Sequence, residues 1–170
     1  MTAPLKLRAR DTEDLQVVAA VLQDALVNLR EMTFVAGERR FIFIANRFRW
    51  ETQGAADSAR ERVEDAASGD ATFSGDDGPH ANYERTHCGV CFEQVRGVKT
   101  GGLQGPLKPR FLELLTIRTA PGTIDLVFAG GTTMRLEVDA IRCYLEDLGN
   151  AWPTAWRPTH KVGETADDAP

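Results

Sequence analysis

Apolar residues recur at helical spacing at one place near the start of the chain: Leu15, Val18, Leu22 and Ala25/Leu26 fall on one stripe. Asp11 and Thr12 are good N-cap residues ahead of it, and Glu13 and Asp14 put negative charge at the positive end of the helix dipole. After Asn28 the period shortens to two. Arg30, Met32 and Phe34 alternate with Glu31 and Thr33, and Ala36-Gly37-Glu38 supplies a turn. In the run from Arg39 to Trp50, Phe41 and Phe43 point one way and Ile42 and Ile44 the other, so large residues on both sides predict a central strand buried on both faces. Cys88, Val90 and Phe92 mark the next strand. The Gly-, Pro- and Lys-rich stretch 97–109 predicts a loop, and FLELLTIR after it predicts a strand buried over most of its length. Pro121-Gly122 makes a turn before Ile124, Leu126 and Phe128, and Gly130-Gly131 is a two-residue hairpin signal of the primed type before Met134, Leu136 and Val138.

Residues 139–149 fit two periods. As a helix, Asp139 caps, Ile141, Leu145 and Leu148 share a face, and Gly149 stops it. As a strand, Ile141, Cys143 and Leu145 continue the preceding alternation. The helix is the preferred reading. The expected fold class is therefore α+β: an N-terminal helix, a curled antiparallel sheet or half-barrel of about six strands, and a short C-terminal helix plugging it, in the manner of a pleckstrin-homology-type architecture.

At 170 residues one domain is expected, spanning 1–161. No run approaches the roughly 20 apolar residues of a membrane-spanning helix, and MTAPLKLRARD lacks the apolar middle of a signal peptide, so neither membrane insertion nor secretion is expected. An odd set of three cysteines fits a reducing cytoplasm better than a disulfide framework. The net charge of −5 is uneven. Segment 52–84 holds eight acids (Asp57, Glu61, Glu64, Asp65, Asp70, Asp76, Asp77 and Glu84) against Arg60 and Arg62, and with few large apolar residues it reads as a mobile acidic insertion. Glu164, Asp167 and Asp168 make 162–170 an acidic, disordered tail. What remains is mildly basic.

The segments NRFRWE at 46–51 and LEDLG at 145–149 followed by WPTAWRP at 152–158, together with DTEDLQVVAAVLQDAL at 11–26, carry a resemblance. They resemble a bacterial domain-of-unknown-function family, number twenty-nine forty-eight in the family register. The likeness covers nearly the whole chain apart from the acidic insertion and tail. It implies one small cytoplasmic bacterial domain, with no activity, ligand or catalytic residue to carry over.

Few residues invite chemistry. His87-Cys88-Gly89-Val90-Cys91 contains a CxxC, yet on a strand Cys88 and Cys91 face opposite sides, and no second CxxC or His pair completes a tetrahedral metal set. His87 and Cys91 share a face but lie about 13 Å apart along an extended chain, too far for a nucleophile and its base; a dyad with His80 or His160 would need the fold to bring them together. There is no phosphate-binding loop, GxSxG elbow, HExxH or calcium loop. Glu113, a lone acid in an apolar strand, is better explained by an arginine partner or by solvent than by catalysis. No catalytic residue, metal or cofactor is assigned.

The best recognition candidate is basic and aromatic. Arg47 and Arg49 project from one face of their strand, with Phe48 and Trp50 on the other; two guanidinium groups together suit phosphate or carboxylate, with Lys99, Lys108 and Arg110 near the Gly/Pro-rich loop. The plainer alternative is ion pairing of Arg47 and Arg49 with Glu51, Glu113 or Glu137. Trp152, Trp156 and Arg157 either seal a sheet edge or form a docking surface. These residues favour a non-enzymatic protein-binding or adaptor domain. The alternative is a small metabolite-binding domain or enzyme with its site in the barrel mouth near Arg47, Arg49, His87 and Cys91. A protein partner is expected and a homodimer is open, whereas membrane and nucleic acid are not expected partners.

Overall fold

The computed structural model describes residues 3–52, 83–103, 110–156 and 158. Most of the expected acidic insertion 52–84, all of the tail 162–170, and His80, Lys108, Arg157 and His160 lie outside the described residues. Along the chain come β1 (Lys6–Ala9), α1 (Thr12–Val21), β2 (Ala25–Val35), β3 (Arg40–Phe48), β4 (Tyr83–Phe92), β5 (Val95–Gly101), β6 (Phe111–Ala120), β7 (Thr123–Phe128), β8 (Thr133–Val138) and β9 (Cys143–Thr154). The nine strands pair antiparallel in one sheet, in the order β1-β9-β4-β3-β2-β6-β7-β8-β5. The end strands β1 and β5 do not pair, so the sheet stays open.

This mostly-β architecture corrects the expected α+β class with about six strands and a short C-terminal helix. A strand, β1, precedes the only α-helix among the described residues, and no helix follows the sheet among them. The decisive stretch is 143–154. Cys143, Leu145 and Asp147 are buried in alternation, and β9 has partners on both sides, Cys143 opposite Phe92 of β4 and Ala9 of β1. Two neighbouring strands satisfy its backbone donors and acceptors, which settles in favour of extension a run too short for its own period to decide.

Local signals fare unevenly elsewhere. Asp11 caps α1 by accepting from Asp14 N at 2.8 Å, and Leu15 and Val18 turn into the core. The helix stops at Val21, however, because Asp24 takes a left-handed conformation (φ 61°) and Ala25 already pairs with Leu114. Part of the expected loop 97–109 is β5, held against β8 at the end of the sheet, where Gly97 and Gly101 leave few side chains to place. The Gly130-Gly131 hairpin forms with a longer turn than two residues, closed by Phe128 N donating to Thr132 O at 2.9 Å. β3 is central, but not two-sided: Phe41, Phe43 and Ala45 are buried while Ile42 and Ile44 are 36% and 37% exposed. β6 likewise leaves Phe111 and Leu115 exposed.

One core gathers the inner faces. β2 makes this possible: Val27 pairs with Ala45 and Met32 with Phe43, so residues 28–31 bulge out, and only Ala25–Asn28 pair with β6. The strands on the two sides of this irregularity face each other, and Phe43, Phe92 and Leu145 join Leu114, Leu126 and Leu136 in one cluster with Leu15 and Val18 of α1. Phe43→Ala is expected to lower unfolding free energy by about 3–5 kcal/mol, and its neighbour Ile44→Ser by less than about 1 kcal/mol. Urea unfolding followed by circular dichroism checks this; equal losses would mean that Ile44 lies in a second buried layer.

Candidate functional site

The inward face of β3 ends in charge. Following Phe41, Phe43 and Ala45 with period two, Arg47 lands in the interior with 0% of its surface exposed. An isolated guanidinium there would be strongly disfavoured, so acceptors must come with it. Asp147 on β9 takes Arg47 Nε and Nη2 on its two oxygens, both at 2.8 Å. Glu51, in the short 3-10 turn after β3, takes Nη1 at 3.1 Å and Nη2 at 2.7 Å. Asp147 also ties down the chain before β1: its Oδ2 accepts from Leu5 N at 3.0 Å, and its own N–H donates to Leu5 O at 2.9 Å. Burial acts to lower the Arg47 pKa, and the hydrogen bonds and charges of Asp147 and Glu51 together outweigh it, so the pKa ends above its ordinary value. Burial likewise acts to raise the Glu51 pKa, but Arg47 and Arg49 leave it below the usual carboxylate range.

Arg49 lies beside this pair and is 7% exposed. Its Nη1 donates to Glu84 Oε2 at 2.5 Å, its backbone N–H to Glu84 O at 2.9 Å, and its Nε stops 3.5 Å from Glu51 Oε1, without an acceptor in hydrogen-bonding geometry. Next to it the β4/β9 ladder breaks: His87 is opposite Leu148 and Arg85 opposite Trp152, so residues 149–151 stand against Thr86 alone. Gly149 supplies the left-handed turn (φ 71°) that a side chain resists. The break opens a cleft of about 660 Å³, with Arg49, Glu84, Thr86, Asp147 and Asn150 in its walls.

The other face of the same strands is aromatic and apolar. The Phe48 ring lies 4.6 Å from that of Trp50 and 5.6 Å from that of Tyr83, and Arg85 sits over it at 5.9 Å. Trp50 Nε1 donates to Gln23 O at 3.2 Å. The Trp152 ring lies tilted against that of His87, 4.7 Å between centroids, and Trp156 stands 81% exposed. Arg157 lies outside the described residues.

Sequence reasoning placed Arg47 and Arg49 on one face, and both reach Glu51; Glu113 and Glu137 are not their partners, since Glu137 binds Lys99 at 2.8 Å and Glu113 acts on Arg85. It missed Asp147 and Glu84. Asp147 had a signal, an acid in step with Cys143 and Leu145, visible only once that run is read as a strand. Cys88 faces the core and Cys91 the outer face, as positions three apart on a strand must. Burial pushes the Cys88 thiol up to about 12, which keeps it protonated and a poor nucleophile. His87 and Cys91 lie on the face opposite to Arg47 and Arg49, so the four do not converge. No group of three or more His, Cys, Asp or Glu that could hold a metal occurs among the described residues.

The chain belongs to a family described as a protein of unknown function, DUF2948, whose model matches residues 5–160. Two of the segments that carried the resemblance meet at this site, Arg47, Arg49 and Glu51 from the first and Asp147 and Gly149 from the second, and the third supplies Gln23, the acceptor for Trp50 on the other face. No curated protein and no solved structure matches the chain. No helix among the described residues is long and apolar enough to cross a membrane.

Asp147→Ala strands Arg47 without its main acceptor and is expected to lower stability by about 3–5 kcal/mol, whereas Arg47→Met with Asp147→Leu recovers most of that loss; chemical denaturation of the three proteins checks this. Glu51, with its folded pKa depressed, contributes stability that is present above its unfolded value of about 4.3 and lost as pH falls through the folded value. The melting temperature of the wild type should therefore fall more steeply than that of Glu51→Gln as pH is lowered from about 5 to 3.

Proposed function

We propose, with membership of this family as the premise, that the chain is a non-enzymatic, cytoplasmic protein-binding or adaptor domain that docks a partner on the outer face of β3, β4 and β9. The observation that carries this reading is an asymmetry between the two outer faces of the sheet. Across β6-β7-β8-β5 one outward row is a charged ladder, Arg118 opposite Asp125, Asp125 opposite Arg135, Arg135 opposite Lys99, while Phe111 and Leu115 are exposed singly on β6. Arg135 grips Asp125 through two bonds of 2.7 and 2.8 Å. Such a row is built for water. Across β3-β4-β9 the centre is Ile42, Ile44, Cys91 and Leu148, and Leu148 closes over Gly89, coming within 3.5 Å of where a Cβ would stand. Charges flank it: Glu146, opposite Gly89, pairs with Lys6 on the edge strand, and Arg40 pairs with Glu93. An apolar centre inside a charged rim is the anatomy of a protein interface.

In this reading Trp152 and Trp156 extend the interface along β9 and beyond it, while Arg47 and Arg49 hold the strands from behind. Three cysteines without a disulfide support a reducing compartment. The barrel-mouth enzyme loses support, because its thiol and imidazole point away from its arginines. A photo-reactive residue at Ile44 is expected to give a discrete crosslinked adduct in cells, abolished by Ile42→Glu, while the same residue at Val127 on the laddered face gives none. Absence of an adduct at Ile44, or equal labelling at both sites, would refute the proposal. An adduct of twice the chain mass would identify the partner as a second copy.

A further inference from the structure

The two arginines of the β3 end are unequally satisfied. Arg47 makes forked bonds to two carboxylates and a further contact of 3.4 Å to Phe48 O. Arg49, nearly as deeply buried, makes one side-chain hydrogen bond among the described residues, to Glu84, and its enclosed Nε has Glu51 Oε1 at 3.5 Å as an ion-pair neighbour but no hydrogen-bond acceptor. Buried guanidinium donors are ordinarily paired, and one left over beside an open cleft calls for an explanation. Two further groups in the cleft wall have spare capacity: the Thr86 hydroxyl makes only a 3.4 Å contact to the next carbonyl, and the Asn150 amide has no partner among the described residues. The backbone of 149–151 has left the ladder at the same place.

We infer that this cleft is a binding site for a carboxylate group, with Glu84 as its internal, exchangeable occupant. Glu84 suits that role because its side chain is 37% exposed at the mouth and holds Arg49 through a single oxygen. An incoming carboxylate takes the place of one carboxylate on Arg49, so the charge around the guanidinium does not change. A doubly charged phosphate would instead add charge next to Asp147 and Glu51, which already face Arg47. Asp147 remains committed to Arg47 and Leu5 throughout, so it positions the site without exchanging. The same chemistry is carried by a free carboxylic acid and by the C-terminus of a peptide. The cleft opens on the inner face of the strands, away from the apolar outer face, so this inference stands apart from protein docking there.

The test is a titration of the full chain followed by amide NMR shifts of Thr86 and Asn150. The probes are acetate and N-acetyl-glycylglycine, with N-acetyl-glycylglycinamide and chloride at matched ionic strength as controls. Saturable shifts are expected with the carboxylates and none with the amide or chloride. Tighter binding of acetate supports a free acid as the ligand, and tighter binding of the peptide supports a C-terminus. Glu84→Gln removes the internal competitor and is expected to tighten carboxylate binding about tenfold, an effect that a purely structural Arg49–Glu84 pair would not produce; Arg49→Lys is expected to abolish it. If Glu84→Gln binds no better than the wild type, or both show only the drift seen with chloride, the inference is wrong.

Discussion

A guanidinium with no exposed surface governs the architecture at one end of this sheet. Arg47 follows three core residues in step on β3, and the alternation of a strand gives it no route to solvent. Its charge can remain there only if acceptors arrive from elsewhere, and they arrive from β9 through Asp147 and from the chain beyond β3 through Glu51. Asp147 reaches across to Leu5, so one carboxylate joins the N-terminal segment, β9 and β3. Segments 100 and 142 residues apart in sequence are thereby joined through one carboxylate.

That polar knot is followed by a break in pairing. Arg49, one step further out, lies where β9 bulges away from Thr86, and the ladder gives way to a cleft. Regular pairing would have filled this space with a strand. The bulge also changes which residues of β9 face outward, bringing Trp152 onto His87. Inner cleft and outer apolar face are thus two consequences of the same few residues: the strands that carry Arg47 and Asp147 inward carry Ile42, Ile44 and Leu148 outward. On the other half of the sheet the centre of the exposed face is an ion-paired ladder, with Phe111 and Leu115 exposed on β6 beside it.

Much of this was legible in the chain itself. Period two in β3, β4, β7 and β8 identified strands, Asp11 identified the start of α1, and the spacing of Cys88 and Cys91 excluded a shared metal on a strand. The common face of Arg47 and Arg49 also followed from alternation, while Glu51, Glu113 and Glu137 stayed equally open as their partners. These are local properties, set by φ/ψ preference and by which side of a strand a residue must take. Tertiary structure decided what local rules left open. Residues 143–154 became a strand because β1 and β4 offered partners on both sides, and the glycine-containing segment 95–101 became one because β8 offered a partner on one side. Ile42 and Ile44 were left in the open because nothing among the described residues covers that face, a fact no pattern within β3 encodes. The pairing of Arg47 with Asp147 depends on which strands become neighbours, and that depends on the summed burial of the whole core, not on any segment alone.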